Sequence, residues 1–283
     1  MRVLSLAAAC LVVAACGEQP AGGPDPEAGQ GGGGSAAEAD PVDLIGSWTL
    51  AEVAGEGDSV IRLALNEVRV WRDCGILSGS WRADSYGQFV AYIAGYSESC
   101  GSADASTPEW LSRATSFAVD GDARLLLDAQ GDVTARLLPG AEPTPGPNLA
   151  PSEAEPPVVT DELRRALAPA APLPPELDPA GADALTGRWV PADGSTSSMD
   201  TPYVELAADS GWQGSDGCNG YNGRWIAGPD GALLAVSGGL TLVGCDNVPV
   251  GGWLAGASRA GLAGDVLVLL DAHGDELGRL RRA

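Results

Sequence analysis

Residues 217–225 read GCNGYNGRW and residues 73–81 read DCGILSGSW. Each stretch sets a cysteine seven positions ahead of a tryptophan and a glycine two positions ahead of it, and 144 residues separate Cys74 from Cys218. The correspondence extends outward from this signature. LIGSW with Trp48 matches LTGRW with Trp189, and Cys100 in GYSESCG matches Cys245 in TLVGCDN. PEWLSRA around Trp110 matches PVGGWLAGASRA around Trp253, and RLLLDAQGDVTARL matches VLVLLDAHGDELGRL. The offsets stay between 141 and 145, so small loop insertions account for them and duplication is the simplest cause.

The pattern inside each copy is that of strands. VIRLALNEVRVW alternates, FVAYIAGY is rich in aromatic and β-branched residues, and Gly, Asp, Asn and Ser interrupt the apolar runs at short intervals. The closing pair of runs in each copy, split by DAQGD or DAHGD, predicts a hairpin with Gly131 and Gly274 at positive φ. One short helix is expected per copy, over TPEWLSRATSF and around Trp253, with Pro108 in the first turn. The expected class is α+β, mainly antiparallel β: two tandem small domains, curved-sheet or barrel-like, each with one helix. The copies occupy 42–138 and 184–283. Between them the Pro- and Ala-rich stretch 139–183 is a linker, in which TDELRRALA predicts a helix capped by Thr160 and ended before Pro169.

The chain begins MRVLSLAAACLVVAAC. One arginine, an apolar run too short to span a bilayer, and small residues ending at Cys16 predict an export signal over 1–15. Val13-Ala14-Ala15-Cys16 resembles the lipobox of bacterial lipoproteins, which implies cleavage before Cys16, acylation of its thiol and a stable membrane anchor. Cys10 leaves with the signal. Residues 16–41 then form a tether almost without apolar side chains. The expected place is the cell envelope, on the extracytoplasmic or periplasmic face of a membrane.

Charge narrows the chemistry. The 16 basic side chains are all arginine, and 38 acidic residues bring the net charge to −22. Such a surface repels phosphate backbones and argues against nucleic acid as a partner. Without lysine there is no Schiff base, no pyridoxal-phosphate anchor and no P-loop.

The combined pattern of L-x-G-x-W, a glycine-rich GCN segment, a second cysteine before a short helix and a closing hairpin resembles the META domain of the HslJ-like family. The likeness covers both copies, not the tether or linker. It is nearer in the second, where Gly217-Cys218-Asn219 stands intact; Asp73 and Gly75 flank the cysteine in the first. The resemblance implies an exported or lipidated envelope protein linked to stress tolerance, with no established catalytic residues.

Four cysteines remain beyond Cys16, and an oxidising compartment favours their pairing. Three connectivities exist, of which a duplicated fold selects the one that repeats: Cys74–Cys100 and Cys218–Cys245. Zinc binding lacks C-x2-C spacing, and the first copy has no histidine to serve as ligand or base. DAHGD around His273 invites a metal or acid–base role, but its twin DAQGD points to a tight turn. No cofactor or metal is expected. Eight tryptophans favour core positions, with Trp81 and Trp225, beside Asn219 and Tyr221, as candidate binding residues. The expected function is that of a non-enzymatic envelope lipoprotein that binds an envelope protein or polysaccharide or supports stress tolerance. The alternatives are an envelope hydrolase using carboxylates or His273, and a periplasmic inhibitor or assembly factor that docks a peptide on a sheet edge.

Overall fold

The computed structural model describes residues 39–97, 100, 106–144, 149–197, 199–239 and 243–283, so Cys16 and the export signal expected over 1–15 lie outside the described residues. The first half runs β1 (Gly46–Ala51), β2 (Val60–Ala64), β3 (Glu67–Arg72), β4 (Gly75–Ala83), β5 (Phe89–Tyr96), α1 (Glu109–Arg113), β6 (Ser116–Asp120), β7 (Ala123–Leu127) and β8 (Val133–Pro139). The linker adds α2 (Pro151–Ala154), α3 (Asp161–Ala166), β9 (Asp178–Pro179) and α4 (Ala182–Leu185). The second half repeats the first: β10 (Gly187–Pro191), β11 (Tyr203–Leu206), β12 (Gly211–Ser215), β13 (Gly220–Ala227), β14 (Leu233–Ser237), α5 (Val250–Gly256), β15 (Arg259–Ala263), β16 (Val266–Leu270) and β17 (Glu276–Arg282).

Alternation decides which face of each strand turns inward. In β2 it buries Ile61 and Leu63, and in β3 Val68 and Val70, with Asn66 at φ 59° making the turn between them. The resulting antiparallel sheet has the order β5-β4-β3-β2-β1-β8-β7-β6, and the second sheet repeats it as β14-β13-β12-β11-β10-β17-β16-β15, with β9 added at its edge. Each sheet curls until one bridge joins the chain just before β5 to β6, Gln88↔Ser116, or the chain just before β14 to β15, Ala232↔Arg259. Both expected hairpins form, with Gly131 at φ 84° and Gly274 at φ 88°. Both helices form as well, although Pro108 stands just before α1 as its cap and not within its first turn.

Each curl encloses its own core, with Trp48 and Trp81 in one and Trp189 and Trp225 in the other. Trp48 and Trp189 solve the burial of an indole identically: Trp48 Nε1 donates to Leu44 O at 2.9 Å, and Trp189 Nε1 to Leu185 O at 2.7 Å. The repeated glycine of the signature also has one cause. A Cβ on Gly79 would lie 1.9 Å from Tyr92 O and one on Gly223 would lie 1.9 Å from Val236 O, so the neighbouring strand leaves room for hydrogen only.

The two halves pack through equivalent faces. Val90 and Tyr92 on β5 meet Ile226 on β13 and Leu234 and Val236 on β14 in a third, smaller apolar cluster. The strand β14 is accordingly buried on both faces, which explains its unbroken apolar run. The linker docks on both halves. Leu163 of α3 is buried in the first core, Arg69 binds Glu153 at 3.2 Å, and β9 pairs with β15. Thr160 caps α3 as the sequence predicts, its Oγ1 accepting from Leu163 N.

Candidate functional site

The signature cysteines lie in pairs at disulfide distance, Cys74 with Cys100 at a Cα separation of 4.7 Å and Cys218 with Cys245 at 6.3 Å. Beside each pair lies a buried carboxylate. In the first half it is Glu56, which accepts from Ser59 Oγ at 2.7 Å, from Trp110 Nε1 at 3.0 Å and from Nε and Nη2 of Arg72. Burial works to raise its pKa, but the bonds from Arg72, Ser59 and Trp110 outweigh burial and hold it below the ordinary value.

The second half puts a carboxylate at the place matching Arg72. Asp216, 1% exposed, follows β12 and accepts through Oδ1 from Asn219 N at 2.6 Å and Cys218 N at 2.7 Å. Its Oδ2 accepts from Asn247 Nδ2 at 2.7 Å, Tyr221 Oη at 2.8 Å and Asn219 Nδ2 at 3.2 Å. Gly217 at φ 93° makes the turn that aims these amides inward. Burial again opposes ionisation, and the donors, Asn219 N–H first, overcome it and lower Asp216 to about 2. Tyr221 is pushed up to about 12 by its burial and by its bond to that carboxylate.

The candidate residues Asn219 and Tyr221 thus belong to a buried network that ties the GCN turn to the loop bearing Cys245. Asn219 Oδ1 also accepts from Val243 N at 2.7 Å. A general acid needs a pKa raised toward the working pH; Glu56 and Asp216 both move the other way. Trp81 and Trp225 are 1% and 3% exposed, and their indole N–H groups donate to Ala64 O at 2.6 Å and Ala207 O at 3.1 Å. Rings this buried offer no open face for stacking a ligand, so a shared aromatic platform of Trp81 and Trp225 is not what the fold builds.

What the fold does build is a cavity of about 430 Å³ at the junction of the halves, lined by β4 and the loop after it, β14, the chain after α5, the linker around 166–170 and the turn at His273. Arg82 crosses this junction. Its Nη1 donates to Ala257 O at 2.6 Å and Ala255 O at 2.8 Å, and its Nη2 to Ser258 Oγ at 3.0 Å. These carbonyls close the C-terminal end of α5, where a cation is favoured. Burial lowers Arg82 to about 10. Arg259, 6% exposed, donates to Ala171 O at 3.0 Å and Ala170 O at 3.3 Å, and lies over the Tyr86 ring at 5.4 Å. Asp84 lines the same space; burial raises its pKa against the bonds from Gln88 N and Tyr86 N and the pull of Arg259 and Arg82. His273 is exposed, and its N–H and that of Asp275 donate to Asp271 Oδ1, the same turn Asp128 makes with Gln130 and Asp132.

Asp216, Glu56, Arg82 and Arg259 escape a reading of the sequence. Asp216 carries a usable signal, an Asp two residues before Cys218 in a glycine-rich turn. The other three are single charges in ordinary strand or loop contexts. Among the described residues no three His, Cys, Asp or Glu side chains gather as a metal site, and no helix is long and apolar enough to cross a membrane. Searches against protein-family models, curated proteins and solved structures found no match to this chain.

Proposed function

We propose that the chain is a non-enzymatic cell-envelope lipoprotein, anchored through acylated Cys16, whose two META-like halves work by binding an envelope component. The observation that carries this reading is the recurrence of a cysteine pair at disulfide distance in each half. Paired thiols of this kind persist in oxidising compartments, which agrees with an export signal and a lipidation site at the N-terminus. The buried carboxylates beside those pairs are held ionised by their donors, a structural use that fits binding better than turnover.

Metabolic labelling with an alkynyl fatty acid tests the anchor: the intact chain takes up label and fractionates with membranes, and Cys16→Ser takes up none. A labelled Cys16→Ser variant would overturn the anchoring. Purified protein without activity on glycoside, ester and peptide substrates agrees with a binding role. Hydrolysis abolished by His273→Ala would establish the enzyme alternative instead.

A further inference from the structure

We propose that the junction cavity binds a small organic oxyanion, one bearing a carboxylate or phosphoryl group. The inference deepens the binding role above by naming the class of ligand. Its first support is how the arginines are used. The chain has 38 acids for 16 arginines, and eight of the described arginines have a carboxylate oxygen within 4.0 Å. The other seven described arginines have none among the described residues, and of these Arg82 and Arg259 are the two that line this cavity. Their bonds go to neutral oxygens, which satisfy N–H groups without cancelling charge.

The second support is spare capacity. Arg82 Nε has no partner among the described residues, and Nη2 of each arginine bonds one oxygen only. A guanidinium edge left open on a cavity of this size matches the planar or tetrahedral face of an oxyanion, and about 430 Å³ lies within the span of small-molecule pockets, roughly 300–1,000 Å³. Of the hydroxyls at the wall, Ser80 Oγ donates to Ser237 O, Tyr86 Oη donates to Asp230 Oδ2 and Ser258 Oγ accepts from Arg82, while Leu234 and Val236 add apolar surface. Two acids that line the cavity oppose an anion here, and a third, Asp230, accepts from Tyr86 Oη at its wall at 3.0 Å. Asp271 has Oδ1 occupied by backbone amides, and Asp84, whose Oδ1 is likewise occupied, is the group a ligand must displace electrostatically. Asp84 therefore acts as the internal competitor for Arg82 and Arg259.

That competition gives the test an unusual sign. The full chain is titrated at low ionic strength with glucuronate, glucose and inorganic phosphate, following the NMR resonance of the imidazole of His273, the sole histidine, at the cavity wall. Glucuronate or phosphate is expected to shift that resonance saturably below about 10 mM, with glucose producing no shift. The tighter of the two oxyanions identifies the head group as carboxylate or phosphoryl. Asp84→Asn, which preserves the shape of the cavity, should tighten binding about threefold or more, and Arg259→Gln should weaken it about tenfold. A flat titration with both oxyanions, an equal response to glucose, or an Asp84→Asn variant that binds no more tightly would overturn the proposal. A flat titration leaves lipid anchoring standing, and an unlabelled chain in the fatty-acid experiment leaves the titration interpretable, so the two claims fail separately.

Discussion

At the end of β3 the first half carries Arg72, and at the matching place after β12 the second half carries Asp216. Both positions sit beside a cysteine pair on the same scaffold, and both halves bury one carboxylate there, yet the counterparts differ. Glu56 is met by a guanidinium, an indole and a hydroxyl, Asp216 by backbone and side-chain amides and a phenol. The lesson is that the repeated fold buries a satisfied acceptor next to the cysteine pair and leaves open how it is satisfied. The shared glycine and tryptophan, in contrast, answer steric demands that both copies impose in the same way.

The largest expected effect tests that shared demand. Gly79→Ala and Gly223→Ala each force a methyl group onto a neighbouring carbonyl and should cost about 3 kcal/mol or more, or prevent folding, and by similar amounts in both halves. Thermal or denaturant unfolding reads this directly, and a harmless substitution at either glycine would break the equivalence. The carboxylates should behave differently from each other. Glu56→Gln strands Arg72 and should cost about 2–3 kcal/mol, partly recovered when Arg72→Met removes the orphaned cation. Asp216→Asn should cost about 2 kcal/mol with no single rescuing partner, because its donors come from several residues. Rescue of Asp216→Asn by one second substitution would refute the distinction.

Acid sharpens the same contrast. The folded pKa of Asp216, about 2, lies below the ordinary value of 3.8, so its ionised form favours the folded state. That stability is fully present above the unfolded value and is lost as the pH falls from about 4 to about 2, amounting to about 2 kcal/mol. Glu56 has the same sign. Asp84 has the opposite one, since a raised folded pKa makes its ionised form a cost that acidification relieves. Asp216→Asn should therefore flatten the acid limb of a stability–pH curve, and Asp84→Asn should raise stability at neutral pH. A smaller effect is expected at the seam between halves: Arg82→Gln removes three cross-junction bonds and should cost about 1–2 kcal/mol, separating one calorimetric transition toward two.

Much of this architecture is legible in the sequence because it repeats and because period-2 alternation is a local signal. The strands of VIRLALNEVRVW and the two closing hairpins are of this kind. The packing of Val90 and Tyr92 on Leu234 and Val236 is not, since an apolar run cannot say which second surface covers it. Nor does Pro-rich composition reveal that Leu163 sinks into the first core while β9 extends the second sheet. At the site, Asn219 and Tyr221 stand out through their motif, and the acid that organises them, Asp216, is marked in the sequence only by its place two residues before Cys218; its donors gather only in the fold. Arg82 acts 173 residues away along the chain, on Ala255, a distance at which no pattern in the sequence carries information.

The account rests on each half being crosslinked within itself, and peptide mapping by mass spectrometry of the non-reduced, alkylated chain measures this directly. It predicts two linked peptide pairs, one joining Cys74 to Cys100 and one joining Cys218 to Cys245. Alkylated free thiols at these positions, or a bridge from one half to the other, would contradict it.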